Sequence, residues 1–273
     1  MQDNSALGRA LEIVRDLRRR CPWDRVQTRA TLRPYLVEEV LELDHALGEG
    51  DPTAIRDEVG DLMLHLAWQL VLGEEHGEFS ADEVADRMIR KMQRRHPHLY
   101  ELGPREPWEV LKRRENGGGV LAGVVPTLPS LQAAYRLQQK AASVGFDWPD
   151  ASGPAEKGRE ELAEVLAEAE AAERRSSSAG NGEDTESQQA DLGAERDPSD
   201  PLAAEVGDLL FAVVNLARKL RVQPSVALDA ANRKFRRRFE RIEALAAERG
   251  VDMSTAGLAK LDELWDEVKL GEG

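Results

Sequence analysis

The chain has 273 residues, of which 41% are hydrophobic and 32% are charged, so it can bury a core and is not disordered throughout. Aromatic residues contribute only 5%, a composition that disfavours a β-sandwich or β-barrel and favours helices. The formal net charge of -14 argues against non-specific binding to nucleic acid.

Helical periodicity dominates the first half of the chain, where apolar residues recur at steps of three and four. These apolar stripes lie at residues 7–17, 36–47 and 59–70. Breaker-rich segments separate them into stretches of ordinary helix length, at residues 48–52, 77–80, 101–107 and 116–119. Asp51 followed by Pro52, and also Ser80, are typical of helix starts. We therefore predict an all-α fold.

The second half shows the same periodicity, with an apolar stripe between Leu202 and Leu220. One segment differs, at about residues 174–201, because it contains one Leu, no aromatic residue and many Ser, Gly, Asp and Glu residues. Such a composition buries too little apolar surface to offset the entropy lost on ordering. We therefore predict a disordered insertion here.

Four features recur in the same order in both halves, which indicates an internal duplication. They are an E-E-x-x-E motif, an E-x-x-D motif, a basic helix, and a Trp followed four residues later by a Lys. In the first half they comprise Glu38, Glu39, Glu42, Glu58, Asp61, residues 90–95, Trp108 and Lys112. In the second half they comprise Glu160, Glu161, Glu164, Glu205, Asp208, residues 233–238, Trp265 and Lys269. We predict two duplicated helical domains, 1–115 and 128–273, joined by a linker at 116–127.

The paired carboxylates indicate a metal site. Glu39 and Glu42 lie one helical turn apart, as do Glu58 and Asp61, so each pair shares a helix face. Two packed helices would bring these acids together, and their mutual repulsion would then require cations. Oxygen ligands without thiolates suit Mg²⁺ or Mn²⁺.

Glycine stands inside both E-x-x-D motifs, at Gly60 and Gly207. A glycine in a helix interior costs about 1 kcal/mol of stability relative to Ala. We expect a closely approaching helix to be the reason for its presence.

A di-iron carboxylate site is a rival interpretation, because Glu42 and His45 form an E-x-x-H step and His65 lies one turn beyond Asp61. The repeat argues against it. The positions that match His45 and His65 in the second half are Ala167 and Ala212, whereas ligands needed for a shared chemistry should occur in both halves.

The basic helices provide candidate phosphate ligands. Lys91 and Arg95 are four residues apart on one helix face, as are Lys234 and Arg238. Such faces either bind phosphate oxygens or form surface salt bridges, and the sequence leaves both open. The two tryptophans likewise either stack on a base or pack within the fold, and packing is the safer interpretation.

The cellular location follows from what the sequence lacks. The single cysteine, Cys21, excludes an intramolecular disulfide framework and a thiolate zinc site. The first residues show no basic region followed by an apolar region, and no run reaches the ~18 apolar residues of a membrane span. We expect a soluble cytoplasmic protein that binds neither membranes nor nucleic acid.

Several segments together resemble the MazG family of nucleoside triphosphate pyrophosphohydrolases, in its two-domain bacterial form. They are CPWDRVQT at 21–28, PYLVEEVLEL at 34–43, RDEVGDLMLHL at 56–66, RRHPHLY at 94–100 and VGFDW at 144–148. The resemblance covers nearly the whole chain. It implies an all-α, Mg²⁺-dependent enzyme, usually a homodimer, that hydrolyses nucleoside 5′-triphosphates to nucleoside monophosphate and pyrophosphate.

The resemblance also implies roles for particular residues. The implied metal ligands are Glu39, Glu42, Glu58, Asp61, Glu161, Glu164, Glu205 and Asp208. The implied nucleotide-binding residues are Lys234, Arg238, Trp265 and Lys269, with first-half counterparts at Lys91, Arg95 and Lys112. Glu38 or Glu160 is left to act as a base or to orient the attacking water. Two departures from the pattern are the insertion within the second motif and Ala204, which replaces the acid found at Asp57.

A second hypothesis is a non-catalytic helical dimer that binds nucleotide or a protein partner in stress regulation. A copy without catalytic function would lack acids from its motifs, and neither half does, so the enzyme is favoured. In the favoured reaction, water attacks the α-phosphorus and pyrophosphate leaves, so no nucleophilic Ser or Cys is needed.

Overall fold

The computed structural model describes residues 5–179 and 196–271. These residues form ten α-helices and no β-strand, which confirms the predicted all-α fold. The chain divides into two compact units, Met1–Pro107 and Trp108–Gly273. In the part of the chain that the structure describes, no helix combines the length and apolar character needed to cross a membrane.

The first unit contains four α-helices and two short 3₁₀ helices. The α-helices are α1 (Ala6–Arg20), α2 (Arg29–Glu49), α3 (Pro52–Glu75) and α4 (Ala81–Arg95). The 3₁₀ helices cover Asp24–Val26 and Pro97–Leu99. Both α1 and α2 pack against α3. The core of this unit consists of Val14, Leu32, Ala67, Trp68, Val71 and Leu72.

Local capping chemistry fixes the helix starts. The Asp51 side chain accepts a hydrogen bond from the backbone N–H of Thr53, and Pro52 opens α3. Ser80 and Glu83 form a capping box at the start of α4. Both predicted starts are therefore confirmed. Gly50 adopts a φ of 78°, which lets α2 and α3 form a tight helical hairpin.

The second unit contains six α-helices. They are α5 (Trp108–Asn116), α6 (Ser130–Ala142), α7 (Ser152–Ala179), α8 (Pro201–Lys219), α9 (Pro224–Glu248) and α10 (Leu258–Leu270). The helices α7 and α8 pack together, α6 packs on α8, and α9 packs on α10. One core cluster, between α9 and α10, consists of Ile242, Ala246, Leu264 and Val268. The unit begins at Trp108, whereas the prediction placed the domain boundary at residue 115.

The predicted disordered insertion needs correction at both ends. Helix α7 continues through Ala179, and α8 begins at Pro201, so the first six residues and the last residue of the segment are helical. The helix continues because it is already nucleated and each added residue gains one backbone hydrogen bond. Ion pairs also support it, including Arg175 Nη2 to Glu168 Oε1 at 2.6 Å. Residues 180–195 lie outside the described residues.

Candidate active site

Three acids of the first unit form a compact cluster. Glu39 comes from α2, and Glu58 and Asp61 lie one turn apart on α3. One carboxylate oxygen from each lies within 4.8 Å of the others, so the predicted convergence of the two helices is observed. Glu42 is outside this group of three; it lines an adjoining groove together with Glu38 and Glu58.

The first cluster carries uncompensated negative charge. Loss of solvation, followed by the charges of Asp61 and Glu42, raises the pKa of Glu39 above its ordinary value. Loss of solvation, followed by the charges of Glu42 and Asp61, also raises the pKa of Glu58. A divalent cation within the cluster would remove this repulsion.

The charge repulsion predicts a stability effect in metal-free protein. A carboxyl whose pKa is higher in the folded than in the unfolded protein destabilises the fold when it is ionised. This destabilisation is absent below the unfolded-state pKa and complete above the folded-state pKa, so it is present at neutral pH. We therefore expect Asp61→Asn to raise the melting temperature in EDTA at pH 7, with the gain shrinking towards pH 4.5, the ordinary value of Glu39. Thermal melts across this pH range check it. Asp262→Asn, at an exposed position on α10, is the control, and a lower melting temperature for Asp61→Asn would contradict the prediction.

A buried histidine borders the first cluster. The His65 side chain is only 9% exposed, and its Nε2 atom lies 3.7 Å from Glu39 Oε1. Burial lowers the pKa of His65, which favours the neutral imidazole. Its Nδ1 atom is buried without a hydrogen-bond partner among the described residues.

The second unit repeats the cluster with a different counter-charge. One oxygen each from Glu161 on α7 and from Glu205 and Asp208 on α8 lie within 4.8 Å of one another. The Lys157 ammonium lies 2.6 Å from Glu161 Oε1 and 2.9 Å from Glu160 Oε1. Its hydrogen bond lowers the pKa of Glu161. This cluster therefore already holds one positive charge.

The fourth acid of the second motif, Glu164, interacts directly with Glu161. A hydrogen bond with Glu161, together with loss of solvation, raises the pKa of Glu164. Glu164, like Glu42 in the first unit, is not among the three acids of its cluster.

A cavity of about 500 Å³ opens beside the second cluster. Its wall includes the cluster acids Glu161 and Asp208. The rest of the wall combines aromatic, cationic and amide side chains, including Phe146, Trp148, Phe211, Lys157, Arg218, Gln138 and Asn215. The groove beside the first cluster has a different lining, which contains no Lys, Arg, Phe, Tyr or Trp. Only the second cavity offers flat rings and cations next to the acids.

Ion pairs anchor the loop that contributes Phe146 and Trp148 to the cavity wall. Arg218 Nη1 lies 3.2 Å from Asp147 Oδ2, and Arg218 Nε donates a hydrogen bond to Asn215 Oδ1 at 3.0 Å. Lys219 Nζ lies 3.2 Å from the same Asp147 carboxylate. These contacts fix the segment that carries Phe146 and Trp148. Sequence reasoning missed this cavity, although the VGFDW segment and a Lys one turn before Glu161 were the available signals.

The mid-helix glycines do not face a close neighbour. A Cβ atom built at Gly60 or Gly207 meets no atom within 4 Å. The expectation of a close helix approach at these positions is therefore wrong for the described residues, because both glycines lie on exposed helix faces.

Because no neighbouring atom approaches Gly207, its replacement by Ala should raise the stability of the protein rather than lower it. Gly207→Ala should stabilise the protein by about 0.5–1 kcal/mol, because Ala has the higher helix propensity and no clash opposes it. Urea unfolding measures the change. Gly153→Ala is the opposite control, because a Cβ atom there would clash with the Trp148 ring. Destabilisation by Gly207→Ala would show that another surface covers this face.

The predicted basic and aromatic residues of the second unit lie on α9 and α10. The Arg238 guanidinium lies 5.7 Å from the centroid of the Trp265 ring, and Phe235 packs on the same ring at 5.5 Å. Trp265 therefore packs within the protein, as the safer interpretation held. Lys269 Nζ lies 3.3 Å from Asp266 Oδ1, and Lys234 is exposed.

The corresponding basic and aromatic residues of the first half fall in two different units. Lys91 and Arg95 lie on α4 of the first unit, but Trp108 and Lys112 lie on α5, which belongs to the second unit. Lys112 Nζ lies 3.8 Å from Glu109 Oε1 and is mostly buried. The prediction that Lys112 belongs to the first domain therefore differs from the observed division.

Known proteins resemble this chain over most of its length. Residues 27–100 match the family model of the MazG nucleotide pyrophosphohydrolase domain. The chain is 36% identical over 258 residues to a nucleoside triphosphate pyrophosphohydrolase/pyrophosphatase MazG from Thermotoga maritima, covering 92% of this chain and 90% of that protein. It is 33% identical over 273 residues to a nucleoside triphosphate pyrophosphohydrolase from Escherichia coli K12, covering 96% and 95% of the two chains.

Proposed function

The chain belongs to the MazG family of nucleotide pyrophosphohydrolases, and we propose that it hydrolyses nucleoside 5′-triphosphates to nucleoside monophosphate and pyrophosphate with Mg²⁺. The observation that carries this proposal is the cavity of the second unit. An acid cluster, two cations and three aromatic side chains meet at its wall. These are the groups needed to bind a metal, a triphosphate and a base.

We place turnover in the second unit on grounds of charge. A nucleoside triphosphate brings about four negative charges at neutral pH, and it needs cations beside the metal acids. Lys157 and Arg218 supply them in the second cavity, whereas the first groove is lined by Glu38, Glu42 and Glu58 without a Lys or Arg.

The donor set of the second cluster suits Mg²⁺. Glu161, Glu205 and Asp208 offer carboxylate oxygens close enough to share one ion, and Mg²⁺ prefers oxygen ligands. Mn²⁺ accepts the same donors. When bound, the ion would neutralise phosphate charge and favour ionisation of a nearby water.

The residues around the second cluster bind the substrate and accept a proton from the attacking water. Lys157 moves from the glutamates to the phosphate oxygens, while the aromatic rings enclose the base and exclude water. Glu160, which is exposed and 2.9 Å from Lys157, accepts the proton of the attacking water. The water oxygen bonds to the α-phosphorus, the bond from the α-phosphorus to the bridging oxygen breaks, and pyrophosphate leaves with the electron pair. Glu38 occupies the matching position of the first unit, where we propose no turnover.

The other predicted residues keep supporting roles in this proposal. Glu164 adjusts the charge of Glu161, with which it shares a hydrogen bond. Lys234, Arg238 and Lys269 belong to a basic face of α9 and α10 that would contact phosphate oxygens in the assembled enzyme.

We also propose that the protein works as a homodimer. Helix α2 leaves apolar side chains in solvent, with Val37, Val40 and Leu41 exposed by 53%, 47% and 63%. An apolar helix face of this kind favours burial against a second copy. Light scattering on the purified chain should give twice the monomer mass, and Leu41→Glu should lower it. A monomeric mass at micromolar concentration would contradict this proposal.

Product analysis tests the reaction directly. Incubation with a nucleoside triphosphate and Mg²⁺ in ¹⁸O-labelled water should give monophosphate and pyrophosphate by ³¹P NMR, with the label in the monophosphate. Formation of diphosphate and orthophosphate would refute the proposed cleavage. Turnover that persists in EDTA would refute the metal requirement.

A further inference from the structure

Helix α8 runs along the cavity of the second unit. Asp208, Phe211 and Asn215 follow one another at steps of three and four residues, so they share one helix face, and all three line the cavity. Asp208 belongs to the second acid cluster, where the proposed metal and phosphates lie. Asn215 lies two helical turns, or about 10 Å, further along the axis, where the base of the same nucleotide would lie.

The side-chain amide of Asn215 is held by its oxygen. Only 7% of the residue is exposed. Arg218 donates two hydrogen bonds to Asn215 Oδ1, from Nε at 3.0 Å and from Nη2 at 2.7 Å. Because a guanidinium group only donates, these bonds decide which end of the amide is the oxygen. Asn215 Nδ2 keeps its N–H donors, for which the described residues supply no acceptor, and it remains accessible at the cavity wall.

Gln138, from α6, adds a hydrogen-bond acceptor to the same wall. The residue is 6% exposed, and its Nε2 atom donates a hydrogen bond to the backbone oxygen of Phe211 at 2.8 Å. This bond assigns the amide, because a carbonyl group only accepts. The Oε1 atom is buried and has no hydrogen-bond partner in the part of the chain that the structure describes. Such an acceptor costs stability unless a donor reaches it.

We propose that Asn215 Nδ2 and Gln138 Oε1 together bind the edge of the nucleobase and select bases in which a carbonyl group stands next to a ring N–H, such as uracil, guanine and hypoxanthine. The base carbonyl accepts a hydrogen bond from Asn215, and the ring N–H donates one to Gln138. Cytosine and adenine carry an amino group and an unprotonated ring nitrogen at these places, so they set donor against donor and acceptor against acceptor.

The charge beside Asn215 favours the same choice. The Arg218 guanidinium adjoins Asn215 and also lines the cavity, so it adds a positive potential at this end. A carbonyl oxygen is attracted by that potential, whereas an amino group is not. The inference rests on the proposed function, because it names the preferred base of the same cavity.

Hydrolysis of matched nucleotides by the full-length chain tests the inference. Pyrophosphate release with Mg²⁺ gives kcat/KM for the triphosphates of uridine and cytidine, and for those of inosine and adenosine. The members of each pair differ only in the group at C4 or C6 and in the protonation of the adjoining ring nitrogen. The unmodified chain should prefer the uridine and inosine nucleotides by at least about 10-fold, because the other two leave buried polar groups unpaired.

Asn215→Asp inverts one member of the pair with little change of shape. One carboxylate oxygen still accepts from Arg218, while the other replaces the Nδ2 donor with an acceptor. The preference for uridine over cytidine triphosphate should then fall at least about 10-fold. Gln138→Met, which deletes Oε1 and keeps the length of the side chain, should lower this preference at least about 3-fold. Asn232→Asp, at an exposed position outside the cavity lining, should leave it unchanged.

The outcomes separate this inference from the proposed function. Equal rates within each pair, or a preference for cytidine and adenosine triphosphates, would overturn the inference while leaving the proposed hydrolysis intact. The expected preference would also count against it if it survived in folded Asn215→Asp protein, or in Gln138→Met protein should Asn215→Asp fail to fold. Absence of monophosphate and pyrophosphate with all four nucleotides would instead refute the proposed function, and the inference with it.

Discussion

Asp208→Ala should reduce nucleoside triphosphate hydrolysis by roughly 10³-fold or more, because it removes one of the three carboxylates that we propose as ligands of the Mg²⁺ ion beside the cavity of the second unit. The fold should survive, since Asp208 is exposed and its removal relieves repulsion within the cluster. Steady-state turnover with Mg²⁺ measures the loss, and circular dichroism measures the fold.

Asp61→Ala provides the matched change in the first unit. It should keep most of the activity, because the groove beside its cluster has no cation in its lining to bind a triphosphate. The double variant should then be as inactive as Asp208→Ala. Asp262→Ala, at an exposed position on α10, should behave as the unmodified chain does.

The opposite pattern would have a clear meaning. An inactive Asp61→Ala with an active Asp208→Ala would move catalysis to the first unit. Unchanged turnover by a folded double variant would show that neither carboxylate cluster is catalytic, and the proposed function would fail at its central step.

Lys157→Met should lower kcat/KM for the nucleotide by about 10- to 100-fold, which is the scale of one charge-assisted hydrogen bond to phosphate. In the structure, Lys157 pairs with Glu160 and Glu161, and it lines the cavity. Its removal frees Glu161 of a competing cation. The Mg²⁺ concentration for half-maximal activity should therefore stay the same or fall while KM for the nucleotide rises.

The control for this change is another helical lysine with a similar ion pair. Lys260 Nζ lies 2.6 Å from Glu263 Oε2, three residues along α10 and away from the cavity lining. Lys260→Met should leave both constants unchanged. A rise in the Mg²⁺ requirement of Lys157→Met, without a change in KM for nucleotide, would contradict phosphate binding by Lys157.

Local sequence patterns were sufficient for several features. The steps of three and four predict helices because backbone hydrogen bonds of a helix are local, and the starts at Asp51 and Ser80 follow from caps made within a few residues. The spacing of Glu58 and Asp61 likewise fixes that they share a helix face. Composition failed at the start of the predicted insertion, where α7 continues to Ala179, because helix propagation depends on the preceding turns as well as on burial.

The sequence by itself determined the all-α fold class, the pairs of acids that share a helix face, and the repetition of these acid motifs in both halves. Only the tertiary structure decided which three acids of each four converge, that Gly60 and Gly207 face open space, and that Lys157 and His65 border different clusters. The reason is physical: a 3.6-residue repeat sets the direction of a side chain on its own helix, whereas its neighbours depend on the rotation and offset of the helix packed against it. The aromatic cavity is lined by residues from five separate segments of the second unit, and no local pattern specifies how they meet.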